Sequence, residues 1–181
     1  MYAPTFRGDK KLDAYKMDYD KVLKELGKDW VLMIRLHPHL QKKAGELTQY
    51  SDKIINASDY DDMQELMAAS DILVTDYSNI MFEYALTGRP CILYATDIEE
   101  YRKERDYYFD ILELPFPLTT STNQLVECLK NFDHKLYKKK WRSFERLVQM
   151  KETGNAAKYT ADIIMRMVSD QNYSIENEKI V

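Results

Sequence analysis

The chain has 181 residues, a length that suits one domain of ordinary size. Apolar residues make up 45% and charged residues 31%, which excludes a chain that is disordered by composition. The net charge of −4 gives no general attraction to nucleic acid or to anionic lipid. No apolar run approaches the roughly 20 residues of a membrane span and no signal peptide is visible, so a cytoplasmic protein is expected.

The cysteines and histidines predict neither a disulfide framework nor a metal site. Cys91 falls in an apolar strand pattern and Cys128 in a helical one, which is typical of buried thiols in a reducing compartment. The spacing of the two cysteines matches no zinc motif, and the three histidines lack ligand spacing. No metal and no cofactor is therefore expected.

The first third of the chain predicts a strand, a helix and a second strand. The strand over residues 2–6 begins almost at the first residue, which suggests a chain cut at a domain boundary. Apolar residues at helical spacing predict a helix over residues 12–26, with Gly27 closing it. Residues 30–36 are typical of a strand covered on both faces. Residues 39–52 are ambiguous and read as a loop with one helical turn.

The rest of the chain alternates strands and helices. Further elements are predicted at residues 53–56 (strand), 61–69 (helix), 71–95 (strand, turn, helix ending at Gly88, strand), 97–118 (short helix, then loop) and 121–168 (helices with breaks near Asp133 and Gly154). This alternation predicts an α/β fold, a parallel sheet with helices on both faces. Residues 1–168 are expected to form one domain, helical from residue 121 onward, and residues 169–181 a polar tail.

Three polar motifs follow three predicted strands, at residues 5–7, at Arg35-Leu-His-Pro38 and at residues 75–79. Parallel strands end at one edge of the sheet, and ligands bind beyond that edge. The turn over residues 75–79 also leads into a helix, whose first backbone N–H groups suit a phosphate. The coincidence of the three motifs indicates a domain that holds the diphosphate of an activated nucleotide.

His37 is the sharpest single candidate. Pro38 keeps it in an extended conformation at the end of its strand. An imidazole there could donate to a diphosphate oxygen and stabilise charge on a leaving group, which makes His37 the expected catalytic residue. The alternative is a structural histidine bonded to a nearby carbonyl. His39 is expected to be exposed in a loop.

The turn after the third strand offers four further candidates. Ser78 and Asn79 are good N-caps by type, and one of them is expected to cap the helix. Thr75 could contact the ligand. Asp76 would repel phosphate directly, so it is expected to accept backbone N–H groups in the turn or to orient His37.

Two charged residues have competing interpretations. Arg7 could bind a phosphate with two parallel hydrogen bonds, or form a surface ion pair with Asp9. Glu83 could accept both hydroxyls of a ribose. Its alternative is a solvated helix face or an ion pair with Arg89.

A family resemblance is carried by short motifs in a fixed order, which together cover nearly the whole chain. They are Tyr2-Ala-Pro-Thr-Phe-Arg7, Arg35-Leu-His-Pro38, Thr75-Asp-Tyr-Ser78, Gly88-Arg-Pro90, Asp97-Ile-Glu-Glu-Tyr-Arg102, Tyr108-Phe-Asp110 and Gly154-Asn-Ala-Ala157. The combination resembles the CDP-glycerol glycerophosphotransferases of teichoic-acid synthesis. That family is similar to GT-B glycosyltransferases, which have two Rossmann-like domains facing a cleft, and the chain resembles the C-terminal, nucleotide-binding half.

The resemblance implies roles for individual residues. His37 would contact the diphosphate of CDP-glycerol, and Ser78 would bind phosphate at the helix N-terminus. Thr5 and Arg7 would line the cleft. The match departs at Asn79, where a second serine is expected. The expected substrate-binding set is Thr5, Arg7, Arg35, Thr75, Asp76, Ser78, Asn79 and Glu83, the last as a ribose ligand.

In the intact enzyme implied by the resemblance, an acceptor hydroxyl attacks the β-phosphorus of CDP-glycerol and CMP leaves. A missing N-terminal domain would supply the general base, the site for a polymer or lipid-linked acceptor and any peripheral contact with the inner face of the membrane. The chain alone is expected to bind nucleotide weakly and to turn over slowly or not at all. The alternatives are a CDP-ribitol or UDP-sugar transferase half, and a nucleotide-binding module without chemistry.

Overall fold

A computed structural model gives the structure, which describes residues 1–7, 17–40, 51–104 and 109–170. Helices and strands alternate along most of the chain, as the sequence predicts. In chain order the elements are α1 (Tyr19–Leu26), β1 (Leu32–Ile34), a 3-10 turn (Pro38–Leu40), β2 (Ile54–Asn56), α2 (Met63–Ala69), β3 (Leu73–Thr75), α3 (Ile80–Ala85), β4 (Cys91–Tyr94), α4 (Ile98–Glu104), β5 (Leu118–Thr119), α5 (Thr122–Lys130), α6 (His134–Leu147) and α7 (Ala156–Ser169).

All strand pairs are parallel, β1 with β2, β3 with β4, and β4 with β5. Tyr2 joins the two groups of strands, because it forms parallel bridges with Ile34 and with Val74. Its N–H donates to Met33 O at 2.7 Å, and its carbonyl accepts from Arg35 N at 2.9 Å. The order across the sheet is therefore β2, β1, Tyr2, β3, β4, β5. The predicted α/β fold class is confirmed.

The predicted strand over residues 2–6 is wrong beyond its start. Ala3 N still donates to Val74 O at 2.9 Å, but the carbonyl of Ala3 accepts the Thr75 hydroxyl instead of a backbone group. Pro4 has no N–H to donate, so it ends the ladder. The chain leaves the sheet at this point and runs along its carboxyl edge.

The core lies between the sheet and its helices. All four residues of β4 are buried, as expected for a central strand with both faces covered. Helix α1 packs beside α5. The buried cluster here includes Tyr2, Val22, Leu23, Ile34, Val74, Ile92, Tyr94 and Leu125.

Helix boundaries follow local chemistry. Asp18 caps α1 through Lys21 N at 2.9 Å, and Gly27 ends the helix at φ 91°, as predicted. The predicted helix over residues 12–26 is wrong at residues 17 and 18, which precede α1, and its part over residues 12–16 lies outside the described residues. Helix α3 ends at Ala85, three residues before the predicted end at Gly88.

Other predicted elements are shorter in the structure or were missed. The apolar run over residues 30–36 contributes only β1, and the Val31 side chain is 57% exposed. Strand β5 is not predicted, because two residues carry no periodic signal: Leu118 ends the stretch predicted as loop, and Thr119 follows it. The predicted helix breaks are confirmed. Asp133 Oδ1 accepts Lys135 N at 2.9 Å at the start of α6, and Gly154 adopts φ 77° before α7.

The chain divides into two compact units, one spanning Met1–Arg142 and the other beginning at Ser143. The first unit contains β1 to β5 and the Tyr2 bridge, and the second contains α7. The predicted domain end at residue 168 stays a prediction. Most of the predicted tail, residues 171–181, lies outside the described residues. In the described ranges no helix has the length and apolar character needed to cross a membrane.

Candidate functional site

A cleft of about 350 Å³ opens where Tyr2, β1 and β3 end. Its polar lining consists of Thr5, Arg35, His37 and Ser78. Thr5 comes from the first predicted motif, Arg35 and His37 from the second, and Ser78 from the third. The cleft exists because parallel strands present their carboxyl ends at one edge. The structure thus brings together four of the nine predicted site residues.

Two polar atoms of this cleft are buried without a hydrogen-bond partner among the described residues, Thr5 Oγ1 and Arg35 Nε. The rest of the Arg35 guanidinium is held in place, because Nη1 donates to the carbonyl of Ser58 and lies 3.4 Å from that of Leu36. A buried unpaired polar group costs about 1–3 kcal/mol. A ligand with hydrogen-bond acceptors and negative charge would recover that cost at Arg35.

His37 lies at the rim of the cleft with its ring exposed. The ring stacks on Phe6 at 5.0 Å between centroids, with 26° between the planes, and lies 5.0 Å from the His39 ring. His39 N–H donates to His37 Nδ1 at 3.4 Å, and no carbonyl partner of the ring, the predicted alternative, is found among the described residues. His39 itself is exposed, as predicted.

The charge state of His37 follows from this environment. Partial burial, then the nearby His39 and Arg35, lower the pKa of His37 below its ordinary value of 6.5. The ring is therefore neutral at pH 7. A neutral imidazole that accepts at Nδ1 carries its proton on Nε2, which leaves that N–H as a donor toward a ligand.

The turn before α3 is built differently from the prediction. Asn79 occupies the N-cap position but makes no side-chain cap hydrogen bond, and it is exposed outside the cleft lining. Ser78 Oγ lies 3.5 Å from Ile80 N, which is a long contact. Of the two residues expected to supply a side-chain cap, Asn79 does not, and Ser78 makes only this long contact. The weak contact at Ser78 leaves its hydroxyl able to face the cleft.

Arg7 and Asp76 have partners within the protein. Arg7 forms ion pairs with Asp76 at 2.6 Å and with Asp97 at 2.7 Å, and its side chain is 6% exposed. Asp76 Oδ1 accepts from Thr5 N at 2.8 Å and from Tyr77 N at 2.7 Å, which matches the predicted backbone role of this carboxylate. The other predicted partner of Arg7, Asp9, lies outside the described residues. Arg7 and Asp76 thus lie beside the cleft rather than in its lining.

Asp97 is the member of this group that sequence reasoning missed as a site residue. Burial raises the pKa of Asp97, but the hydrogen bond and the charge of Arg7 outweigh burial, so the pKa is lowered. Burial likewise lowers the pKa of Arg7, and its bonds to Asp97 and Asp76 outweigh this and raise it. The only sequence signal for Asp97 is its place in a family motif, because its partner is 90 residues away.

Thr75 and Glu83 complete the predicted set. Thr75 is buried, and its hydroxyl donates to Ala3 O at 2.7 Å, so it has a structural partner. Glu83 is exposed on α3 and does not line the cleft. Arg89, its predicted alternative partner, instead donates to Ala68 O and Ser70 O, both at 2.7 Å.

A larger open groove of about 680 Å³ lies between β5 and α5. Its lining carries the carboxylate of Glu127 and no arginine, lysine or histidine, so an anion favours the smaller cleft. Within the described ranges no three metal-ligating side chains are grouped as a metal site would require.

A parallel α/β domain with an anion-suited cleft at the carboxyl edge of its sheet defines an α/β class of protein that binds ligands at that edge. The comparison with known families is more specific. Residues 1–166 match the family described as CDP-Glycerol:Poly(glycerophosphate) glycerophosphotransferase, and the chain belongs to that family. The predicted family resemblance is confirmed.

Curated relatives and solved structures agree with this family. The chain is 38% identical to the teichoic acid poly(glycerol phosphate) polymerase of Staphylococcus epidermidis, over 94% of this chain and 25% of that protein. It is 36% identical to the teichoic acid ribitol-phosphate primase of Bacillus spizizenii, over 91% of this chain and 43% of that protein. A structure of the wall teichoic acid polymerase TagF matches with a TM-score of 0.78 and 34% identity, over 95% of this chain and 44% of TagF. A TagF variant soaked with CDPG matches with a TM-score of 0.79.

The chain matches less than half of each of these relatives. It spans 25% of the first polymerase, 43% of the primase and 44% of TagF. The activities of these longer proteins therefore bear on this chain only as proposals.

Proposed function

We propose that the chain is the donor-binding part of an enzyme that transfers glycerol phosphate from CDP-glycerol to an acceptor hydroxyl. The observation that carries this proposal is the cleft in which Thr5 Oγ1 and Arg35 Nε are buried without partners beside a neutral His37. Membership of the glycerophosphotransferase family supports the choice of donor. The TagF variant soaked with CDPG, which is 34% identical to this chain, also supports it.

The cleft holds the diphosphate in this proposal. Arg35 binds a non-bridging oxygen through Nε, and the hydroxyls of Thr5 and Ser78 donate to further oxygens. His37 donates a hydrogen bond from Nε2–H to an oxygen on the α-phosphate side of the diphosphate. The Arg35 guanidinium is held in place by Ser58 O before the ligand arrives, but Arg35 Nε and Thr5 Oγ1 are buried, so a local shift must expose them to the diphosphate.

In the proposed reaction, negative charge develops on the leaving phosphate as glycerol phosphate is transferred. The acceptor oxygen forms a bond to the β-phosphorus, the bond from that phosphorus to the bridging oxygen breaks, and its electron pair leaves with CMP. His37 and Arg35 stabilise the negative charge that develops on the leaving phosphate. The proton of the acceptor hydroxyl passes to a base that a further part of the enzyme, beyond this chain, supplies.

Glu83 stays the candidate for the ribose, with a geometric condition. It lies on α3 outside the cleft lining, so its contact requires the nucleoside to extend from Ser78 along that helix. Asn79, exposed at the start of α3, would lie along the same path. Weaker binding of 2′-deoxy-CDP-glycerol by the wild type, but not by Glu83→Gln, is the expected signature.

A second donor has direct support. Relatives named for ribitol phosphate include a polymerase that is 33% identical over 72% of this chain and the primase of Bacillus spizizenii. CDP-ribitol shares the cytidine diphosphate of CDP-glycerol, so the same cleft would bind the same group in both. The polyol is distinguished outside that cleft.

The deciding experiment is calorimetric titration of the chain with CDP-glycerol, CDP-ribitol and UDP-glucose. We expect one CDP-polyol to bind, and His37→Ala to weaken that binding at least about ten-fold, because a hydrogen bond to a charged group contributes about 1.5–3 kcal/mol. His134→Ala is the matched control, because His134 is an exposed residue at the start of α6. A preference for UDP-glucose would move the protein to the sugar transferases, and a His37→Ala variant that binds like the control would remove His37 from the site.

The acceptor and the cellular setting are part of the same proposal. A polymer or lipid-linked acceptor would bind to further protein outside this chain, with any peripheral membrane contact at the inner face also made there. The chain alone is then expected to bind donor without forming polymer. Polymer made by the chain alone from CDP-glycerol would contradict this division of labour.

A further inference from the structure

We propose that Arg7 is a positioning residue, which fixes Thr5 and the Phe6–His37 stack for a diphosphate without touching the ligand. The effect of Arg7 on ligand binding rests on the proposed function of the cleft. The effect of Arg7 on the placement of the His37 ring does not depend on that proposal.

Arg7 ties together three segments at the carboxyl edge of the sheet. Nε donates to Asp97 Oδ2 at 2.7 Å, in the loop that follows β4. Nη2 donates to Asp76 Oδ2 at 2.6 Å, in the loop that follows β3. Nη1 donates to Thr5 O at 2.7 Å, in the segment that follows Tyr2. One rigid fork thus holds three loops at fixed separations, which a single flexible cation could not do.

The same contacts leave Arg7 poorly suited to bind a phosphate. A guanidinium has five N–H donors on three nitrogens, and four hydrogen bonds within the protein already engage all three nitrogens. Arg7 and its two carboxylate partners, Asp76 and Asp97, together carry a net charge of about −1, which opposes a second anion. The role left to Arg7 is to hold its neighbours.

Two aromatic rings cover the guanidinium. Its central carbon lies 4.8 Å from the ring centroid of Tyr77 and 5.3 Å from that of Tyr101, and the two rings stack at 3.7 Å. Tyr77 OH also donates to Asp97 Oδ1 at 3.0 Å. This cover shields the ion pairs from water and so strengthens them.

The cluster reaches the cleft through the peptide units on both sides of Thr5. Thr5 N donates to Asp76 Oδ1 at 2.8 Å, and Thr5 O accepts from Arg7. Phe6, the next residue, places its ring against His37. A displacement of about 1 Å at a positioned group is enough to cost much of its effect. Arg7 therefore sets both the Thr5 hydroxyl and the surface on which His37 rests.

The test compares Arg7→Lys with Arg102→Lys in the full chain. Arg102 is the matched control, because among the described residues it pairs with Asp110 at an exposed site. Cross-relaxation between the Phe6 ring protons and the His37 imidazole protons measures the stack by NMR, without any ligand. We expect Arg7→Lys to weaken this signal and Arg102→Lys to leave it unchanged. Asp97→Asn serves as a second variant with the Arg7–Asp76 pair intact, should Arg7→Lys fail to fold.

Binding then separates positioning from contact. We expect Arg7→Lys to weaken CDP-glycerol binding about ten-fold in the wild-type background. In the His37→Ala background the same substitution should weaken binding by no more than about three-fold. Fully independent losses, or an unchanged Phe6–His37 signal in Arg7→Lys, would overturn the positioning role. If the wild-type chain binds no CDP-polyol, the proposed function fails, while the NMR comparison still decides whether Arg7 positions His37.

Discussion

Replacing Asp76 with asparagine removes one charge from a buried ion-pair cluster while keeping the shape of the side chain. Oδ1 can still accept the N–H groups of Thr5 and Tyr77, so those two hydrogen bonds survive. The amide nitrogen then faces Arg7 Nη2, where Oδ2 stood at 2.6 Å, and two donors oppose each other. Rotating the amide by 180° does not remove the conflict, because its nitrogen would then oppose the N–H donors of Thr5 and Tyr77.

The magnitude depends on which partners Arg7 loses and which it keeps. A hydrogen bond to a charged group contributes about 1.5–3 kcal/mol, and a buried charge left wholly unpaired costs about 3–5 kcal/mol. Arg7 keeps Asp97 as a partner, so the second range is an upper limit. We therefore expect Asp76→Asn to lower the free energy of unfolding by about 2–3 kcal/mol.

The matched control is Asp110→Asn. Asp110 also accepts a backbone N–H, that of Leu112, and pairs with an arginine, Arg102, but the side chains of that pair are 54% and 36% exposed. We expect about 0–1 kcal/mol there. Urea unfolding is followed by tryptophan fluorescence, since Trp30 and Trp141 both lie in the unit that carries the cleft. A difference between the two variants below about 0.5 kcal/mol would refute the assignment of Asp76 to a buried charged cluster.

Three further predictions test separate parts of the site. The pKa of Asp97 lies below its ordinary value of 3.8, so Asp97 stabilises the fold fully above that pH, and this stabilisation is lost as the pH falls below it. The free energy of unfolding of Asp97→Asn should therefore change less than that of the wild type between about pH 4 and 2. A bound diphosphate favours protonated His37, so affinity for CDP-glycerol should rise as the pH falls from about 8 to 5.5 and stay flat in His37→Ala; calorimetry at several pH values would show an equal slope in both if His37 does not meet the anion. Thr5→Val removes an unpaired buried hydroxyl, so its stability should match or exceed that of the wild type by up to about 1 kcal/mol while donor binding weakens. Thr75→Val is its control, expected to cost about 1 kcal/mol because the Thr75 hydroxyl bonds Ala3 O; urea unfolding that shows equal costs would contradict the distinction.

Family and fold class could be predicted from the sequence because both depend on local signals. The apolar run of β4 is buried throughout, and Gly27 ends α1 at the positive φ that its residue type favours. The motifs after Tyr2, β1 and β3 were expected to meet, because parallel strands must end at one edge. That rule placed Thr5, Arg35, His37 and Ser78 in one cleft.

Other features depend on partners far along the chain. Arg7 pairs with Asp76 and Asp97, which are 69 and 90 residues away, and no local pattern selects these over the neighbouring Asp9. Asn79 has the residue type of an N-cap, yet the backbone before α3 adopts αR geometry there and its side chain makes no cap bond. Residue type states what a side chain can do, and the fold decides which partner it meets.

The family, the alternation of parallel strands and helices, and the edge at which polar motifs gather all follow from local patterns in the amino-acid chain. These depend on hydrophobic periodicity, turn chemistry and the geometry of parallel strands, which act over a few residues or are set by topology. Which polar groups find hydrogen-bond partners inside the protein depends instead on the folded arrangement of its loops. Arg7 and Thr75 found buried partners whereas Thr5 Oγ1 and Arg35 Nε did not, because burial and hydrogen bonding at that edge depend on loops brought together from distant parts of the chain.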